Sequence, residues 1–404
     1  MPSVVVYDKW LSGLGGGEVV ACSMARVLKD TGFDVTLVSQ TKVKPEAIMK
    51  TLNIDIKDIQ LEIINDNENQ LKQLCKDKDL FINISFMDYS YGYAKKNVYY
   101  VHFPTIEKKG GYGGLGLFNC VLTFFQKTNL QSLLPNPLKE RIDDRLRAGI
   151  YPNLKKRLNS YQIFITHSEY VAKWVKKAWD INAKVLYPPV SLLTTNHQPL
   201  TTKLNWICSV GRFFTLGHGK KQEVMIEAFK QLFSELTTNH YPLTTNLQLH
   251  LIGGVGTEPS SIRFVEKLHE MAKGYPIFFH FNVPRSEVEN ILLKSKIYWH
   301  AAGYGEDPEK NPIKFEHFGI APVEAISAGC IPILYNGGGL TEIISVLGLN
   351  KKDNLFNTQE ELVTKTKHLM GNLKQIDSFP SHKLGLSFSQ SSFKKNFLSI
   401  LHEG

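Results

Sequence analysis

Short, continuously apolar runs alternate along this chain with stretches whose apolar positions recur at helical spacing. Over residues 1–40 the order is a strand at 3–8, a glycine-rich loop, a helix at 18–30, a Gly32 stop and a second strand at 33–40. Strands apolar on both faces and separated by helices predict a parallel sheet covered on both sides. Similar runs at 80–85, 98–103, 163–167 and 184–187 extend that sheet. After Pro188-Pro189 the pattern restarts, with strands at 206–210, 248–252, 277–281, 297–301 and 331–335 and helices at 222–236 and 322–328. An α/β chain of two Rossmann-like domains follows, 1–190 and 191–387. Phe393, Phe397, Ile400 and Leu401 mark a last amphipathic helix within 388–404.

One feature interrupts this order. Residues 193–204 (LTTNHQPLTTKL) and 236–247 (LTTNHYPLTTNL) are near copies, polar and rich in Thr, Asn and Pro. Two copies at unlike places in the topology cannot stack as a solenoid, so they read as inserted loops, with His197 and His240 not ligands.

Composition narrows the class. At 404 residues, 43% hydrophobic and 21% charged, the chain is an ordinary globular one. Its 5 cysteines, Cys22, Cys75, Cys120, Cys208 and Cys330, are widely spaced and form no CxxC, which argues against a disulfide framework or zinc site and for a reducing cytoplasm. The start reads as a strand rather than a signal peptide, and no apolar run matches a membrane span, so a soluble or peripheral protein is expected. The net charge of +9 is concentrated in residues 101–190, which hold 14 Lys/Arg against 6 Asp/Glu. There Lys173, Lys176 and Lys177 line one face of a helix opposite Tyr170, Trp174 and Ala178. A solvated surface and an anionic membrane or acceptor both fit; nucleic acid is not expected, for lack of any nucleic-acid module.

Candidate chemistry sits in three places. Gly15-Gly16-Gly17-Glu18 follows the first strand, where backbone amides at a helix start could meet a phosphate or form only a tight turn. Glu18 at the last position of a GxGxxG frame, and Ser39-Gln40 in place of an acid ending the second strand, argue against a dinucleotide. Gly211-Arg212 and Lys220 or Lys221 flank a strand's carboxyl end, a fork and a point charge fit to hold a diphosphate. Glu316 and Glu324, seven residues apart, bracket Phe318-Gly319-Ile320-Ala321 at a helix start, where Glu324 could equally complement the helix dipole. Asp77-Lys78-Asp79 is formally a DxD but stands in a charged turn, and no metal is expected there. The stretch 110–125, glycine-rich then apolar, suits either a buried loop and strand or a lipid-facing surface.

Taken in order, GGGE, VHFPT, YPPV, VGRF with its Lys pair, and EHFGIAPVE followed by AGCIPILYNGGG resemble the family-four retaining glycosyltransferases of GT-B fold. The likeness covers essentially the whole chain. It includes the branch of dolichol-oligosaccharide α-1,2-mannosyltransferases and the bacterial polysaccharide and lipopolysaccharide glycosyltransferases. The resemblance implies two Rossmann-like domains facing a cleft, the first acceptor-side, and a C-terminal helix crossing back to it. It implies Arg212 and Lys220, or Lys221, on the donor diphosphate, Glu316 on the sugar hydroxyls and Glu324 on the ribose. It further implies the Phe318, Gly319, Ile320 and Ala321 amides and Gly15, Gly16 and Gly17 toward the donor, and His102 beside the reacting carbon. The implied activity is metal-independent retaining transfer, with no cofactor, from GDP-mannose or a UDP-hexose to a lipid-linked or polysaccharide acceptor at the cytoplasmic membrane face. A nucleotide-sugar epimerase and a non-catalytic sugar-binding subunit are the alternatives.

Overall fold

A computed structural model of the chain describes residues 1–65, 67–106, 154–193, 203–214, 219–238, 246–371 and 385–403. The stretch 110–125, Cys120, most of both repeats and the larger part of the basic region fall outside them. The chain divides into two compact units, one of residues 1–166 and 171–184, the other of 167–170 and 185–403.

The first unit is a seven-stranded sheet ordered β3-β2-β1-β4-β5-β6-β7. The strands are β1 (Ser3–Tyr7), β2 (Asp34–Ser39), β3 (Gln60–Ile63), β4 (Leu80–Asn83), β5 (Lys96–Val101), β6 (Ile163–Thr166) and β7 (Lys184–Val185). Pairings among β1–β6 are parallel, as the two-sided burial of β1, β4 and β6 requires. Helices α1 (Gly16–Asp30), α2 (Pro45–Leu52), α3 (Glu68–Cys75), α4 (Leu154–Leu158) and α5 (Glu169–Trp179) are described with it, the last beginning among residues of the second unit. β3 was not legible as a strand. Its Gln-Leu-Glu-Ile sequence lies at the sheet edge with Ile63 exposed, so it lacks the continuous apolar run of its neighbours. On α5 the buried residues are Val171, Trp174 and Val175, while Lys173, Lys176 and Lys177 are exposed as expected.

The second unit is a six-stranded parallel sheet ordered β10-β9-β8-β11-β12-β13. Its strands are β8 (Leu204–Val210), β9 (Gln248–Gly253), β10 (Ile277–Phe281), β11 (Ser295–His300), β12 (Ile331–Tyr335) and β13 (Leu355–Phe356). Side-chain alternation splits its core between the two faces. Ile207, Ile297 and Trp299 pack beneath α6 (Gln222–Thr238) and α7 (Pro259–Ala272), while Cys208 and Tyr298 pack beneath α8 (Arg285–Lys294) and α9 (Ile320–Ser327). Helix α6 runs to Thr238, so the second repeat starts as helix rather than loop. Chain order reverses between β8 and β11, a topological switch point of the kind at which open α/β sheets hold ligands beyond their strand ends.

At that end β8 and β9 approach very closely. A Cβ placed on Gly253 would lie 2.0 Å from the Gly211 carbonyl oxygen, backbone that cannot swing aside. Gly253→Ala should therefore cost about 2 kcal/mol or more, the range for overpacking a rigid site. Urea unfolding checks this; an unchanged midpoint would mean that the strand ends are not held together.

Candidate functional site

In the second unit the switch-point crevice gathers residues from β8, β11 and the segments that follow them. Gly211 and Arg212 leave the end of β8. Arg212 is exposed, and its guanidinium has no hydrogen-bond or ion-pair partner among the described residues. Lys220 and Lys221 open α6, Lys221 in the left-handed conformation at φ 56°. That turn sends the two ammonium groups to different carboxylates. Lys220 Nζ is 2.6 Å from Glu316 Oε2, whereas Lys221 Nζ is 2.8 Å from Glu306 Oε1, with Lys314 Nζ 3.0 Å from the other Glu306 oxygen. Lys220 is thus the lysine placed beside the sequence-predicted glutamate.

Glu316 also accepts a hydrogen bond from His300 Nε2 at 2.6 Å. His300 ends β11 and is 1% exposed, and its Nδ1 faces the Tyr298 hydroxyl at 3.4 Å. Burial holds His300 below its ordinary pKa, leaving a neutral ring that donates from Nε2. Burial alone would raise the Glu316 pKa. The Lys220 charge and the His300 hydrogen bond outweigh it and hold the carboxylate well below its usual range. Oε1 of Glu316 takes no hydrogen bond among the described residues, so an ionised oxygen is left for a ligand.

Glu324 is buried on α9. Both its oxygens are engaged by Arg285, at 2.7 and 3.1 Å, and burial raises its pKa against that pull. Gly319 precedes α9 at φ 109°, where a side chain would be strained, and Pro322 stands in the first turn, so the Ile320 and Ala321 amides are among those without an intrahelical acceptor. Phe318 packs on Tyr187 and Phe388, so its side chain is core and only its backbone can face a ligand. His300, Arg285 and Glu306 escaped the sequence reading. His300 lies in a run that reads as core strand, and Arg285 and Glu306 show no motif; only pairing across the fold reveals them.

In the first unit, Gly17 lies against His102: a Cβ on Gly17 would come 3.0 Å from the imidazole Cε1. His102 follows β5, its Nε2 2.6 Å from the Ile84 carbonyl, and burial lowers its pKa to about 4. Gly15 donates its backbone N–H to Glu18 Oε2 at 2.6 Å, so that amide serves the α1 capping box. Gly16 opens α1 in the same turn. Asp79 of the DxD accepts from Ser3 N and Lys95 Nζ, both at 2.8 Å, and among the described residues no group of three or more His, Cys, Asp or Glu is placed to hold a metal.

Asp8, just past β1, is also strongly perturbed. Burial and the Glu18 charge, against a hydrogen bond from Trp10 N, raise its pKa to about 7. Its folded-state pKa exceeds the unfolded value, so its contribution to stability is full below pH ~4 and is lost as pH rises through ~7. Asp8→Asn should leave stability at pH 4 little changed and raise it at pH 8 by on the order of 3 kcal/mol. Urea unfolding at the two pH values tests this, and an equal effect at both would refute the shift.

Comparison with known proteins gives a consistent result. Residues 194–362 match the model of the glycosyl transferases group 1 family. The human GDP-Man:Man(3)GlcNAc(2)-PP-Dol alpha-1,2-mannosyltransferase is 25% identical over 255 residues, 60% of this chain and 48% of that protein. The Dictyostelium discoideum enzyme of the same name is 24% identical over 327 residues, 75% of this chain and 58% of that one. The chain therefore spans about half the length of the curated relatives it matches. A glycosyltransferase from Rickettsia africae superposes with TM-score 0.66 at 15% identity, covering 100% of this chain and 98% of that one. The fold is that of the GT-B glycosyltransferases, and the stretch 194–362 is similar to the glycosyl transferases group 1 family.

Proposed function

We propose that the protein is a retaining, metal-independent glycosyltransferase that carries a hexose, mannose in the first instance, from a nucleotide diphosphate to a lipid-linked or polysaccharide acceptor at the cytoplasmic face of a membrane. The observation that carries this reading is the Lys220–Glu316–His300 cluster at the strand-end crevice of the second unit, with Arg212 at the end of β8 unpaired among the described residues. The mannosyltransferase relatives, whose names give GDP-mannose as donor and a dolichol diphosphate-linked acceptor, support the substrate classes.

In this reading Arg212 forks onto the donor diphosphate and Lys220 adds a point charge, with the Gly319, Ile320 and Ala321 backbone and Gly16 and Gly17 presenting amides, the Gly15 amide being held by Glu18. Lys221, tied to Glu306, stiffens the start of α6. Glu316 receives sugar hydroxyls on its open oxygen, and Glu324, steadied by Arg285, receives the ribose. The bond from the anomeric carbon to the diphosphate oxygen breaks, and its electron pair leaves with the phosphate. The acceptor hydroxyl oxygen bonds to the same face, and its proton passes to the departing phosphate oxygen. Charge developing on that oxygen is what Arg212 and Lys220 stabilise. Neutral His102 flanks the carbon without placing a second positive charge there. Peripheral association with an anionic surface is supported by the exposed Lys173, Lys176 and Lys177 of α5, although Lys176 already pairs with Asp180 at 2.6 Å. No helix among the described residues is long and apolar enough to cross a membrane.

Transfer of labelled sugar from GDP-mannose and UDP-hexoses to lipid-linked and free glycans is the direct test. Arg212→Ala should lower turnover by about 10²-fold or more with an unchanged melting temperature, as loss of transition-state charge stabilisation does. Wild-type turnover in that variant would remove Arg212 from the mechanism. Activity should also persist in excess chelator, because the basic pair meets the leaving charge; rescue only by added magnesium or manganese would refute the metal-independent step.

A further inference from the structure

The first unit holds a cavity of about 240 Å³ that the glycosyl-transfer reading leaves unassigned. It opens at the carboxyl end of β1, between the segments that follow β2 and β4 and the start of α3, on the switch point where β1 meets β4. It is distinct from the glycine loop. Successive residues Tyr7 and Asp8 point to opposite faces: Asp8 meets Glu18 and Cys22 of α1, while Tyr7 lines the cavity on the α3 side and donates its hydroxyl to Asp88 at 3.2 Å.

The walls are fixed and polar. Glu68 accepts both Arg157 Nη atoms, at 2.8 and 3.1 Å, together with the Tyr93 hydroxyl and Tyr91 N, and the Arg157 guanidinium lies 4.4 Å over the Tyr91 ring. Asp88 accepts from Ser90 N and Ser90 Oγ, and Gln40 Nε2 donates to Tyr7. Among the described residues two acids, Glu68 and Asp88, face two cations, Lys9 and Arg157, so the formal charge of the described lining is balanced. Neither a phosphate nor a cation gains from such a site, since each meets as many like as opposite charges. A neutral molecule dense in hydroxyls gains from all of it, donating to carboxylates and accepting from Lys9, Gln40 and Asn67. Leu71 and Tyr89 close the cavity behind these groups, both buried, so the surface it offers is mainly polar.

We propose that this cavity binds a single neutral sugar residue. That this sugar belongs to the acceptor glycan rests on the glycosyl-transfer reading; the site itself does not.

Saturation-transfer NMR on the full chain without nucleotide, using methyl α-mannopyranoside and methyl α-glucopyranoside up to about 50 mM, tests it, with inorganic phosphate as a third probe. At least one glycoside should bind and phosphate should not. Gln40→Leu and Lys9→Met should each weaken glycoside binding about tenfold, the worth of one hydrogen bond, with melting temperature and the melting shift produced by GDP or UDP unchanged. Absence of glycoside binding, equal binding by both variants, or phosphate binding weakened by Lys9→Met would overturn the proposal. Glycoside binding by a chain that gives no nucleotide response would sustain the cavity and sink the transfer reading, so the two failures are separable.

Discussion

Glu316 is a carboxylate 12% exposed at its side chain, with a lysine and a histidine both bonded to one of its oxygens, and much else in the second unit is arranged around that fact. Buried ion pairs contribute little net stability, because desolvation of both charges offsets most of their attraction, and apolar residues of similar volume would hold the fold as well. Such a cluster is better understood through what it leaves exposed. One Glu316 oxygen is saturated and the other is not, and the carboxylate stays ionised because Lys220 and His300 oppose its burial. Removing one member would leave charge uncompensated in the interior, at several times the net worth of the intact cluster.

The same logic separates two adjacent lysines. The positive φ at Lys221 costs about 1 kcal/mol or more for a residue with a side chain, and the pair with Glu306 gives that strained backbone a fixed place. Lys220 is thereby aimed toward Glu316 while its neighbour is held by the loop that carries Glu306 and Lys314. Arg212, by contrast, is anchored among the described residues through its backbone alone, whose carbonyl accepts Gln222 Nε2 at 3.1 Å, which leaves its guanidinium to meet an incoming anion.

How far the sequence reached depended on the length scale of each signal. Strands such as β1, β4 and β12 are buried on both faces, so their apolar runs stand out and were read within a residue or two of the observed ends. Edge strands carry no such mark: β3 alternates polar and apolar residues, and β13 has two residues. Glu316, Glu324 and Arg212 were visible through local motifs. His300 was not, since one histidine in an apolar strand looks like core, and it gains meaning only from a carboxylate 16 residues later that folds back over it. The choice between Lys220 and Lys221 was open for a related reason: it turns on a single backbone dihedral that residue type does not encode.

The strand order of the second unit also has a temporal side. β8 lies next to β11, and the ionic cluster that this pairing supports joins Lys220 to a glutamate 96 residues further along. Contacts of such long range form only after a large loss of chain entropy, which makes parallel sheets slow to assemble and leaves early strands waiting for their partners. During synthesis β8 leaves the ribosome well before β11 exists, with Arg212 and Lys220 already translated but no carboxylate to receive them. Lys220 is thus made well before the carboxylate that receives it, and the crevice acquires its ionic cluster only once Glu316 has been added and β11 has paired with β8.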